Sequence, residues 1–176
     1  NAAGRMGDAK PVWRLLVERT SRGVERLSGM LGEAHDRSKA LSRQILAEAH
    51  ELANRISFKD QIVMVVGRQG WHPGLMGPVA AQLADRFGRP AIAIAFGGSV
   101  GVGSGRSPSA FNLLEALRAC EGMLLRYGGH PQACGLTIQA AQLEGFRESI
   151  NHHARTSLAL RTLVRRLRVD VETSLG

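Results

Sequence analysis

The sequence predicts an α/β fold: a long connector helix followed by a mixed β-sheet domain flanked by helices. Three observations predict it. Residues 33–55 contain no Gly or Pro and repeat apolar side chains at helical spacing. Two continuous, mostly β-branched or small apolar runs, 62–66 and 90–96, bracket an amphipathic stretch, as in a strand–helix–strand unit. Beyond residue 97, glycine-rich turns separate further short periodic segments.

Residues 11–31 are helical in pattern, with Trp13, Leu16, Val17, Val24, Leu27 and Leu31 mostly three or four apart, but Gly23, Gly29 and Gly32 interrupt them. A separate helix is expected over 33–55, where Leu41, Ile45, Ala49, Leu52 and Ile56 form one stripe. Glu33–Arg37 and Glu51–Arg55 add favourable i,i+4 pairs. A single stripe suits a helix lying along a domain rather than inside it. Ile62-Val63-Met64-Val65-Val66 then reads as a buried strand.

A helix follows Gly70-Trp71-His72-Pro73-Gly74, with Leu75, Val79, Leu83 and Phe87 on one face and Gly88 ending it. His72 reads best as a residue that packs at or caps this helix start. Residues 90–96 form the second buried strand, and Gly97-Gly98 turns the chain. Residues 100–107 begin as a strand and end as a loop. Asn112-Leu113-Leu114-Glu115 resembles a capping box and opens a helix to about residue 126, which Tyr127-Gly128-Gly129-His130-Pro131 breaks. A short strand at 134–138 and an amphipathic helix at 140–158 follow. The tail, Leu167-Arg168-Val169-Asp170-Val171, alternates like the first strand of something new.

With 176 residues, the chain is long enough for about one domain with a real core. No apolar run approaches the ~18 residues that span a bilayer, so no membrane association is expected. The first residues are not a signal peptide and lack an initiator Met, which reads as an internal piece of a longer chain. Cys120 and Cys134 are too few for a disulfide framework or a four-ligand zinc site. They read as buried, reduced thiols, and a cytoplasmic location follows.

The net charge is +8, and the only lysines are Lys10, Lys39 and Lys59, so arginine carries the basicity. Arginine's planar fork suits bidentate phosphate contacts, although ordinary solvated faces rich in Arg would look the same. At 5% aromatic residues, base stacking on rings is not the expected mode; a nucleic acid would be gripped by its backbone.

Two glycine segments have the ingredients of an anion site. In Gly103-Ser104-Gly105-Arg106-Ser107, glycines permit the positive-φ turns that aim N–H groups inward, while hydroxyls and Arg supply further donors; a helix start nearby adds its positive end. Gly128-Gly129-His130 adds an imidazole. Either segment alone is as well read as a plain turn, and neither matches a Walker A or dinucleotide pattern. No cluster of carboxylates and histidines suited to metal-dependent hydrolysis is evident. In Asn151-His152-His153, neighbouring helix positions point ~100° apart, so the two rings would not converge on one ion.

Taken in order, Asn1-Ala2-Ala3-Gly4-Arg5-Met6-Gly7-Asp8-Ala9, Gly70-Trp71-His72-Pro73-Gly74, Gly103-Ser104-Gly105-Arg106-Ser107 and Gly128-Gly129-His130 resemble the C-terminal half of the single-strand-specific 5′→3′ DNA exonucleases of the DHH phosphoesterase superfamily. The resemblance implies that residues 1–32 end the DHH catalytic domain and 33–58 form the interdomain connector. Residues 59–158 would be the DHH-associated substrate-binding domain, and 159–176 a linker with the truncated start of an OB-fold domain.

It further implies a parent enzyme of DNA repair and recombination that uses Mn²⁺ or Mg²⁺ on single-stranded DNA, with single-strand-binding protein or a helicase as further partners. Ser104, Gly105, Arg106 and Ser107 would hold backbone phosphates, Gly129 and His130 the nucleotide at the cleavage site, and Arg5 would face the cleft. The Asp-His-His motif and the family's metal ligands are absent from these residues, so the fragment is expected to bind no metal, to hold no catalytic residue and to be inactive alone. The alternatives within reach of the same motifs are an oligoribonucleotide or cyclic-dinucleotide phosphodiesterase, and a non-catalytic RNA-binding domain.

Overall fold

The computed structural model describes residues 2–59, 61–157 and 171. The tail expected to open an OB-fold domain lies, except for Val171, outside the described residues. Two short helices, α1 (Ala2–Met6) and α2 (Lys10–Val17), pack on a long helix α3 (Ser21–Asn54). The strands are β1 (Met64–Gln69), β2 (Ala91–Gly97), β3 (Val100–Arg106), β4 (Leu124–His130) and β5 (Ala133–Gln139). Helix α4 (Met76–Phe87) links β1 to β2, α5 (Leu113–Ala119) lies between β3 and β4, and α6 (Leu143–Ser157) follows β5. The sheet order is β1-β2-β3-β5-β4, with β1 and β2 parallel and the remaining pairs antiparallel. The expected class, a long helix followed by a mixed sheet with helices, is the one observed.

Strand β2 shows why the layers form. Its alanines, Ala91, Ala93 and Ala95, join Ile45, Ala49, Val79 and Leu83 in one core, where small side chains let α3 and α4 approach the sheet closely. Its bulky residues, Ile92, Ile94 and Phe96, join Leu113, Leu117, Phe146 and Ile150 on the other face. The period-2 alternation thus feeds two cores.

Three expectations need correction. The chain does not break at Gly23, Gly29 and Gly32: α3 runs unbroken for 34 residues, roughly 51 Å at 1.5 Å per residue. Thr20 caps it by accepting from the Gly23 N–H at 3.2 Å, and α1 and α2 pack against it. The helix opened by Asn112 ends at Ala119 rather than near residue 126. Leu124 continues its apolar spacing, but residues 124–130 pair with β5, with one irregularity between Leu124 and Arg126, so they form β4. Finally, both glycine segments are strand: residues 103–106 belong to β3 and 128–130 to β4, joined to β5 by the turn at Pro131-Gln132.

The capping box is half made, with the Asn112 side chain accepting from the Glu115 N–H. His72 does cap: its Nδ1 accepts from the Gly74 N–H at 3.2 Å, opening the 3₁₀ turn Pro73–Leu75 before α4. Gly88, at φ 63°, ends α4 in the left-handed conformation as its position suggested. Both cysteines are buried and free. Burial pushes each thiol pKa up, which suits inert packing more than reactivity.

Candidate nucleic-acid interface

In β3 the alternation is glycine against everything else. Gly101, Gly103 and Gly105 are buried toward the α5–α6 layer, where an added Cβ would lie 2.6 Å from Phe96, 3.0 Å from Ile94 and 2.5 Å from Leu113, respectively. These glycines serve packing. None of those in the segment has positive φ, so the inward-pointing amide turn expected of 103–107 is not formed.

The residues between them, Val102, Ser104 and Arg106, face the opposite side. The register carries that face across the sheet: Arg106 opposes Ala133, which opposes His130, and Ser104 opposes Gly135, which opposes Gly128. Arg106 and His130 therefore stand in one cross-strand row on one face, with Cα atoms roughly 10 Å apart at the usual strand spacing. Arg126, opposite Thr137, stands on the same face. It could have been found only by recognising β4 as a strand.

The environment of Arg106 is specific. Its Nη1 donates to Ser104 Oγ at 3.0 Å and to the Gly105 carbonyl at 2.7 Å, and Ser104 Oγ donates in turn to the Cys134 carbonyl at 3.2 Å. No carboxylate pairs with this half-buried guanidinium among the described residues. Its Nη2 lies against Gly77, in the first turn of α4, where a Cβ would sit 3.2 Å away. Helix α4 has no side-chain cap at its N-cap, Leu75, so its positive end faces the Arg106 fork. The helix end beside Arg106 is thus α4, not the later helix, whose start is satisfied by Asn112 and by the Leu113 N–H donating to the Pro131 carbonyl. Neither α4's role nor Gly77 was legible beforehand, because only the fold brings residues 77 and 106 together.

Gly129 has φ 137°, and a side chain there would run into the Ala133 carbonyl oxygen, so glycine is required next to His130. Cβ atoms at Gly128 would meet nothing, leaving bare backbone on the exposed face beside His130. The remaining named residues are placed differently. Gly105 is buried, and its carbonyl holds Arg106. Ser107 spends its hydroxyl on the Pro108 and Phe111 carbonyls of its own loop, at 3.1 and 2.9 Å, so the structure does not bring it to the face. Arg5 is on α1, whose backbone meets Gly74, and its side chain lines a separate cleft between α1, α3 and α4.

Asn151 is not a metal-site remnant. It is 2% exposed; its Oδ1 accepts from the Val63 N–H at 2.9 Å and its Nδ2 donates to the Val63 carbonyl at 3.1 Å. Among the described residues no group of three His, Cys, Asp or Glu could hold a metal ion, and no helix is long and apolar enough to cross a membrane.

Residues 59–156 match the model of the DHHA1 domain, and the chain belongs to that family. It is similar to the single-stranded-DNA-specific exonuclease RecJ of Bacillus subtilis, 36% identical over 160 residues, and to that of Thermus thermophilus, 31% identical over 154 residues. These alignments cover 90% and 88% of this chain but 20% and 22% of those proteins, so the chain spans about a fifth of the length of these relatives. The crystal structure of Thermus thermophilus RecJ in complex with Mg²⁺ superimposes with a TM-score of 0.79 at 31% identity, over 89% of this chain and 24% of that one. An exonuclease RecJ bound to manganese gives a TM-score of 0.78 at 30% identity, over 92% and 42%.

Proposed function

We propose that this chain is the strand-holding portion of a single-stranded-DNA-specific 5′→3′ exonuclease, gripping backbone phosphates beside a cleavage site that other residues of the parent protein build. The observation that carries the reading is Arg106: a guanidinium oriented by Ser104, unpaired by any carboxylate among the described residues, set against the first turn of α4 and sharing a face with His130. A phosphate placed there would accept from the fork and neutralise two positive ends at once. His130 would donate to the neighbouring oxygen, while Arg5 would meet the strand in the separate cleft between α1, α3 and α4. Gly105 and Gly129 act by shaping the backbone, and Ser107 by closing the loop beside it.

In this reading residues 1–32 finish the catalytic domain, 33–58 connect, 59–158 bind substrate and 159–176 lead toward an OB-fold domain. Relatives described as RecJ bound to Mg²⁺ or Mn²⁺ support a divalent ion in the parent enzyme, where it would activate the attacking water and steady the phosphate charge. The described residues do not fit such an ion, so none of their chemistry runs through it. A cytoplasmic role in DNA repair and recombination, with single-strand-binding protein or a helicase as partner, completes the reading.

Arg106→Ala should weaken binding of single-stranded DNA about tenfold, to a similar degree for every sequence, and reduce the salt slope by roughly 0.7, one single-strand phosphate. Fluorescence anisotropy against salt, with a thermal melt to confirm folding, measures both. An unchanged affinity and slope would remove Arg106 from the role. The purified chain should release no nucleotide from single-stranded DNA even with Mn²⁺ added; contamination-controlled hydrolysis would overturn that expectation.

A further inference from the structure

Helix α4 has two flanks at its start. With ~100° between successive helix positions, Gly77 points to one side, against Arg106, while Leu75, Pro78 and Gln82 point to the other. That second side is the wall of a cleft of about 320 Å³ whose opposite wall is α3. The polar lining is Arg5, His35, Lys39 and Arg43, with the hydroxyls of Ser38 and Ser42. No carboxylate lines it.

Among the described residues, none of Arg5, Lys39 and Arg43 forms an ion pair or side-chain hydrogen bond, and the Ser38 hydroxyl, which reaches solvent, makes no hydrogen bond. The ion pair that this part of α3 does make, Glu33–Arg37, is turned away from Lys39, by ~120° at Glu33 and ~160° at Arg37. Three cations without an ion pair among the described residues and two hydroxyls line one concavity; Asp36, one turn before Lys39, offsets part of that charge, and the remaining excess suits a polyanion.

We propose that this cleft is a second phosphate subsite, in which Lys39 and Arg43 of the connector helix hold the strand on the opposite flank of α4 from Arg106. The inference rests on the single-strand-binding reading above and extends it to α3. A strand crossing the start of α4 would present phosphates to both flanks, and the connector helix would be part of the binding surface rather than a spacer alone.

The test uses a fluorescently labelled twelve-residue oligothymidylate and three variants of this chain: Lys39→Gln/Arg43→Gln, Arg106→Ala, and Arg37→Gln as a control for general charge loss. Glutamine keeps helix propensity at these exposed positions, and far-UV circular dichroism checks it. The cleft variant should bind about tenfold more weakly and lose roughly 1.4 of the salt slope, while Arg37→Gln changes affinity less than about twofold. If the cleft variant behaves like Arg37→Gln while Arg106→Ala weakens binding, the second subsite is wrong and the first reading stands. Should Arg106→Ala also leave affinity and slope unchanged, the single-strand reading itself fails. A cleft reserved for an acidic protein partner would give the first of these results.

Discussion

Asn151 stands where β1 begins and offers its carboxamide to both backbone groups of Val63. It does the work of a neighbouring strand for one residue, and also donates to the Arg147 carbonyl within α6. Removing it would leave a buried N–H and a buried carbonyl without partners, each costing about 1–3 kcal/mol. Asn151→Ala should therefore lower unfolding free energy by about 2–4 kcal/mol in urea titration, with little effect on DNA affinity. A loss under about 0.5 kcal/mol would show that water replaces the carboxamide. The sequence placed Asn151 on a helix correctly but gave no sign of this partnership, because Val63 is 88 residues away. The same blindness applied to Arg106: its residue type and neighbours pointed to phosphate, whereas its actual setting depends on Gly77.

Among the elements, α3 and β3 show opposite ways in which glycine misleads. In α3, side chains added at Gly29 or Gly32 would meet nothing within 4 Å. These glycines weaken the helix locally without interrupting it, because they lie within one long helix held by packing against α1, α2 and α4. Gly29→Ala and Gly32→Ala should each stabilise the chain, by about 0.5–1 kcal/mol, with helical ellipticity equal or higher. Destabilisation by either would contradict a continuous helix there. In β3 the glycines are spaced by two, which is the strand period itself, and each is demanded by a bulky neighbour on the core face. A glycine-rich run with hydroxyls resembles a phosphate loop in composition. Only the partner strands distinguish the two. β4 was hidden for a related reason: Leu113, Leu117 and Leu124 keep helical spacing across a boundary set by pairing with β5.

At the scale of the whole molecule, α3 is tied to the sheet by Glu48, whose Oε2 accepts from Trp71 Nε1 at 2.8 Å and from Arg68 at 3.3 Å. The Trp71 hydrogen bond, followed by that from Gln44, holds the Glu48 carboxyl below the usual carboxylate range. A lowered folded value means the tie is fully stabilising above the unfolded value of about 4.3 and is lost as pH falls through the folded one. Glu48→Gln keeps an oxygen for the indole but cannot titrate. The melting temperature of the native chain should exceed that of the variant near pH 6, and the gap should narrow toward pH 3. A gap independent of pH would mean that the charge of Glu48 contributes nothing.

By itself the sequence determined the fold class, the βαβ unit, the final helix and the residue types suited to phosphate. Each follows from periodicity or side-chain chemistry, which act over a few neighbouring positions. Tertiary structure alone decided that Ser104, Arg106 and His130 share a sheet face, that Ser107 does not, and that α4 rather than a later helix presents its positive end. Those outcomes depend on strand register and on which layer covers which face, and both are settled by contacts between residues distant in the chain.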